Sequence, residues 1–181
     1  MRKIGWILIL VTLAGCGERK FPRPDFEDID FKTTESAKLF FKNVRSYYYE
    51  SDLYSFKGAE VYRWAGRETD SSKYWLQLVL VIHLLQDQAF LLSESSQAVQ
   101  RNCKAWLYRY GANRLDSISL QPNSMQAHLN LHFFVYDAID DSLSLCFESH
   151  TGERFPYLSS LKAKADYHKQ VRDFLRLVGK I

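Results

Sequence analysis

The strongest constraint on the fold is the run at residues 74–85, YWLQLVLVIHLL, in which only Gln77 and His83 interrupt a series of aliphatic and aromatic side chains. A segment this continuous and this rich in Val, Ile and aromatics predicts a central strand covered on both faces. The next residues, QDQ, read as a tight turn, and AFLLSES follows, so residues 75–94 predict a hairpin.

The same patterning recurs downstream. KAWLYRY places Trp106, Tyr108 and Tyr110 on one strand face, GANR turns the chain, and LDSISL returns it, giving a second hairpin over 104–120. AEVYRWAG at 59–66 is a further short strand. Residues 36–51, SAKLFFKNVRSYYYES, admit two readings. Thr34 could cap a helix whose face includes Ala37, Phe40, Phe41 and Val44, but the density of Tyr and Phe favours a strand.

Two helices are marked more firmly. Pro122 and the capping candidates Asn123 and Ser124 precede a stripe of Met125, Leu129, His132, Phe133 and Tyr136 at helical spacing. From Ser159 or Ser160 onward, Tyr167, Val171, Phe174, Leu175 and Val178 form an apolar face, and Gly179 is placed to end the helix. Between them LSLCFES reads as a buried strand. The expected fold is α+β: an antiparallel sheet of about 5–6 strands, with helices at about 123–139 and 160–178 packed against it. Hydrophobic residues make up 46% of the chain and aromatics 15%, which excludes disorder; the 8 glycines form neither GxxxxGK[ST] nor GxGxxG.

The N-terminus carries a different kind of signal. Arg2 and Lys3 precede an apolar run from Ile4 to Gly15, which at 1.5 Å per residue spans roughly 18 Å and is too short to cross a bilayer. A cationic start, a short apolar stretch and small residues describe an export signal. The run ends Leu13-Ala14-Gly15-Cys16, a tetrapeptide that resembles the lipobox of bacterial lipoproteins. The resemblance covers about the first 16 residues. It implies cleavage of residues 1–15, and a Cys16 that carries a thioether-linked diacylglycerol and an amide-linked acyl chain. A deprotonated thiol is the nucleophile such an alkylation needs. Two or three acyl chains hold a protein at a membrane where one would be marginal. Gly17 stands where aspartate favours inner-membrane retention in Gram-negative lipoproteins, so the resemblance implies the periplasmic face of the outer membrane for a Gram-negative source.

Loss of Arg2 and Lys3 lowers the formal charge from +3 to +1, and no basic stripe with interleaved aromatics remains to bind nucleic acid. Residues 16–34 hold Pro22, Pro24 and dense charge, and read as a tether from the lipid; Phe26, Ile29 and Phe31 could dock on the domain as a peripheral strand. Residues 35–181 are the size of one globular domain.

The candidates for chemistry are few. His128 and His132 stand four apart in HLNLH, as a metal site could use, but Leu129 occupies the position where a zincin needs glutamate. Cys103 and Cys146 could pair in an oxidising envelope or stay as two buried thiols. Tyr47, Tyr48 and Tyr49, with Tyr54 and Phe56, could form an aromatic platform for a sugar or a partner, or pack in the core. No catalytic constellation and no cofactor motif is visible, apart from the lipid on Cys16. The expected function is a membrane-anchored, non-enzymatic binding or assembly component of the cell envelope with an envelope protein as partner. The alternatives are a small-ligand or carbohydrate-binding lipoprotein and an envelope enzyme without a recognisable motif.

Overall fold

The computed structural model describes residues 29–54, 58–111 and 114–181. The expected leader, the lipid-attachment candidate Cys16 and the expected tether as far as residue 28 lie outside the described residues.

The fold is α+β. β1 (Tyr49–Tyr54), β2 (Ala59–Trp64), β3 (Leu76–His83) and β4 (Gln88–Ser95) form an antiparallel meander in sequential order. β5 (Cys103–Gly111), β6 (Arg114–Ser119), β7 (Ser144–Ser149) and β8 (Arg154–Tyr157) form a second antiparallel sheet, ordered β6-β5-β7-β8. The helices are α1 (Glu35–Phe40), α2 (Gln97–Asn102), α3 (Met125–Asp140) and α4 (Leu161–Leu177).

The apolar run at 74–85 is the inner strand β3. Leu76, Leu78, Leu80 and Ile82 point into the main core, while Val79 and Val81 join Val61 in a smaller cluster on the opposite face. Both predicted hairpins form, with Leu80 opposite Leu91 in one and Tyr108 opposite Ser117 in the other. In the second, Trp106, Tyr108 and Tyr110 share the outward face; Leu107 and Arg109 point inward, and the Arg109 guanidinium lies 4.2 Å from the Phe134 ring centroid.

Strands are divided between two sheets rather than gathered in one of five or six, for two reasons. Ser96 caps the short α2 by accepting from Val99 N at 3.1 Å, which breaks the chain between β4 and β5. Then α3 is apolar around most of its circumference: Leu129, Leu131, Phe133, Phe134, Val135, Tyr136 and Ala138 are all buried. A helix of that kind needs cover on several sides. It packs on β4 of the first sheet and on β6 and β7 of the second, and so joins them. The single sheet-facing stripe expected for it is therefore too narrow, and its first member, Met125, is exposed.

The strand reading of 36–51 is overturned over 36–48, and only its last three residues belong to a strand, β1. Thr34 Oγ1 accepts from Ala37 N at 3.2 Å and starts α1, which continues through a π-helical turn (Phe41–Arg45) and a 3₁₀ turn (Ser46–Tyr48). Local capping and the burial of Phe41 against Tyr49 and Tyr62 outweigh aromatic β-propensity here. Before α1, residues 29–33 dock beside the start of β4: Ile29 is buried, Lys32 bridges Gln88, and the Phe31 and Phe90 rings lie 5.5 Å apart. α4 ends in a Schellman motif, with Lys180 N donating to Leu175 O and Gly179 at φ 69°.

Candidate functional site

Where the chain leaves β2 it does so through Trp64, and it enters β3 through Tyr74 and Trp75. Facing them across a gap are Tyr157 at the end of β8 and Tyr167 on α4. Together they line a cleft of about 480 Å³. A second recess of about 350 Å³ shares Trp64, Gly66, Lys162 and Asp166 with it and extends to Tyr47 and Tyr48. The result is a groove with aromatic walls along its length. Tyr48 stacks on Trp64 at 5.8 Å with ring planes 11° apart, and Tyr49 meets Trp64 at right angles at 5.2 Å. The Arg45 guanidinium sits 4.5 Å from the Tyr48 ring centroid. Trp64 is thereby held as a fixed plate, and Trp75 is fixed by its indole N–H donating to Asp70 O at 2.9 Å.

The rim is charged but internally neutralised. Arg67 pairs with Glu50 at 2.5 Å, Lys73 with Glu68 at 2.7 Å, and Lys162 and Lys169 both with Asp166 at 3.0 and 3.1 Å. Burial works against ionisation of Asp166, yet the two lysines together hold its carboxyl below the usual range. Lys73 does the same for Glu68. At the far end Arg45 donates to both oxygens of Asp173, at 2.8 and 3.0 Å, and Tyr49 donates to it at 2.8 Å.

The floor is wired into the core. Tyr157 donates to Leu76 O at 2.8 Å. Tyr167 donates to Nδ1 of His132 at 2.6 Å, so Nε2 carries the ring proton and donates to Leu92 O at 2.9 Å. Ser93 Oγ lies 3.1 Å from both His132 Nε2 and His128 Nδ1, and Ser93 N donates to that Nδ1 at 3.0 Å. The two histidines of HLNLH are thus brought together with Ser93, but as hydrogen-bonding partners of strand β4. Both nitrogens of His132 are engaged, and burial pushes it down to about 4, so it is neutral at physiological pH. Burial also lowers His128 and raises the Tyr167 hydroxyl well above its ordinary value. Neither His132 nor Tyr167 is poised for proton transfer near neutrality. Among the described residues no group of three or more His, Cys, Asp or Glu is placed to hold a metal ion.

Cys103 and Cys146 are both free and buried. Cys103 pairs in register with Ser149, while Cys146 lies three residues along β7 opposite Tyr108. Three strand residues are roughly 10 Å, beyond the ~4.4–6.8 Å that a disulfide spans. Desolvation raises both thiols. They act as small apolar fillers.

Of the aromatic platform expected around residues 47–56, Tyr47 and Tyr48 reach the groove and Tyr49 is buried behind it. The side chain of Tyr54, and Phe56, lie outside the described residues. Trp64, Tyr74, Trp75, Tyr157 and Tyr167 were not read from the sequence as site residues; Tyr74 and Trp75 counted only toward an apolar run, Trp64 toward a short strand and Tyr167 toward the apolar face of the last helix. Their signal is positional: four of the five stand at or just beyond the ends of strands, where a side chain lines an edge rather than a sheet face. No family model matches this chain, and no curated protein or solved structure is significantly similar to it.

Proposed function

We propose that this chain is a bacterial envelope lipoprotein, anchored by acyl chains on Cys16, whose folded part is a non-enzymatic binding module that takes a saccharide in the aromatic groove. The anchor rests on the charge, length, small residues and cysteine of residues 1–16. The ligand reading rests on one observation, the groove walled by Tyr48, Trp64, Tyr74 and Trp75 with its charges already paired. Flat, pre-positioned aromatic plates suit the C–H face of a pyranose ring, whose hydroxyls can then reach the polar rim. A strongly charged ligand would have to displace existing ion pairs, which disfavours it. A cleft of this shape favours a ligand over a flat protein partner, and His132 and Tyr167 give it no acid–base pair working near neutrality.

Isothermal titration of the folded protein with N-acetylated amino-sugar oligosaccharides tests this. Saturable binding that weakens roughly tenfold in Trp64→Ala is expected, the loss of one stacking partner and its buried area. No heat of binding from neutral or acidic oligosaccharides would contradict it.

A further inference from the structure

The first helical segment presents its apolar side to solvent. Leu39 (61% exposed), Phe40, Val44 and Tyr47 (72% exposed) lie on the outside, together with Asn43. Its inner side holds Lys38, paired with Glu35 and Asp87 at 2.5 and 2.6 Å, and Phe41, packed 5.0 Å from Tyr62. These inner contacts fix the rotation of the helix. In the wider π-helical turn at Phe41–Arg45 only Phe41 is buried, and Val44 is exposed as Leu39, Phe40 and Tyr47 are. All four residues are exposed, on one stretch of nine residues.

One flank of this stripe is positive toward solvent, whereas at the start of the helix the exposed partner is the Glu35 carboxylate and Lys38 is the buried one. Lys42 is paired with Glu60 and Arg176 with Asp173; in each pair the cation is 40% exposed while the carboxylate lies deeper. Lys169 is likewise more exposed than its partner Asp166. Arg176 sits 5.8 Å from the Phe40 ring centroid. An aromatic and aliphatic stripe with outward cations at its edge matches the headgroup layer of a bilayer containing anionic phospholipid.

Chain length lets the stripe reach that surface. Twelve residues separate Cys16 from the buried Ile29, and α1 begins six positions later. Fully extended, that connection reaches at most about 45 Å, and at coil dimensions roughly 20 Å. We infer that the stripe of Leu39, Phe40, Val44 and Tyr47 rests on the anionic phospholipid surface that carries the anchor, an inference that builds on the lipoprotein reading. Tyr47 also edges the groove, so the groove would then open along the membrane surface.

The test uses the full chain purified from membranes and reconstituted in vesicles of phosphatidylethanolamine and phosphatidylglycerol. A nitroxide is placed at Asn43→Cys, with Leu115→Cys on the edge strand β6 as a control; the buried Cys103 and Cys146 are shielded from the label. Relaxation by oxygen relative to a water-soluble nickel chelate is expected to be several-fold higher at 43 than at 115. Adding Leu39→Glu and Val44→Glu, both at exposed positions, should abolish the difference with the melting temperature unchanged. Equal ratios at the two sites overturn the inference, as does a high ratio that survives the glutamates or a label at 43 covered by crosslinked protein. The mass of the N-terminal peptide reports acylation separately: a peptide without acyl chains overturns the lipoprotein reading, and the same nitroxide ratio on the same vesicles still decides the surface.

Discussion

Tyr167 on α4 donates its hydroxyl proton to Nδ1 of His132 on α3 across 2.6 Å, and this single bond ties the floor of the groove to the buried centre of the molecule. His132 passes the connection on to β4 by donating to Leu92 O. The arrangement holds only while the imidazole is neutral, because a protonated Nδ1 would have no lone pair for the tyrosine.

That requirement makes stability depend on pH. Burial lowers His132 from 6.5 to about 4. Below 6.5 the unfolded chain gains a proton there that the folded protein refuses until about 4. Its contribution is therefore complete above 6.5 and is lost as pH falls toward 4, on the order of 3 kcal/mol in all. Urea unfolding measured near pH 7 and near pH 5 should show that loss in part, and His132→Gln should flatten the dependence. Equal stability at both values in the native protein would contradict it.

Tyr167→Phe removes the donor and leaves a buried nitrogen unsatisfied. The expected cost is about 1–3 kcal/mol, a drop of several degrees in melting temperature. The substitution sits beneath the groove and does not remove Trp64, so ligand affinity should fall less than in Trp64→Ala.

Asp173 joins the first helical segment to α4 by accepting from Arg45 and Tyr49 while itself almost fully buried. Burial pushes the Tyr49 hydroxyl well above its ordinary value, so it serves as a neutral donor. Asp173→Ala strands a partly buried guanidinium and a buried hydroxyl, and should cost about 3 kcal/mol or more. The ring of Tyr48, which Arg45 covers, should then become mobile, read as loss of its ring-stacking shifts in NMR spectra.

The thiols give a separate check. With Cys103 and Cys146 about three strand residues out of reach, alkylation after denaturation without reductant should modify both. Native alkylation should be slow, since both thiols are buried and raised. A mass about 2 Da lower that reductant restores, with both thiols resisting alkylation until then, would contradict the register of β5 on β7.

Much of the architecture was legible where burial imposes a period on the sequence. The apolar run became β3 and both hairpins closed. Ser124 and Ser160 cap the two long helices, accepting from Ala127 and Ala163. The failures share a cause. In residues 36–48 the apolar stripe faces outward and a lysine faces inward, so periodicity points the wrong way; only Thr34 marked the helix. In α3 the density of apolar residues signalled burial on every side, but a stripe reading discards that information. The groove was hardest, because its walls come from β2, the entry to β3, β8 and α4, and nothing in one chain's order says that Trp64 and Tyr167 will meet.

The tryptophans allow the groove to be tested directly. Trp64 and Trp75 line it, whereas Trp106 projects from the outward face of β5 in the other sheet. In nitrogen-15 labelled protein their indole N–H resonances are three reporters of known position. Titration with N-acetylated amino-sugar oligosaccharides should move the Trp64 and Trp75 signals saturably and leave Trp106 in place. Unmoved Trp64 and Trp75 at saturating oligosaccharide, or an equal response from Trp106, would contradict a saccharide site in the aromatic groove.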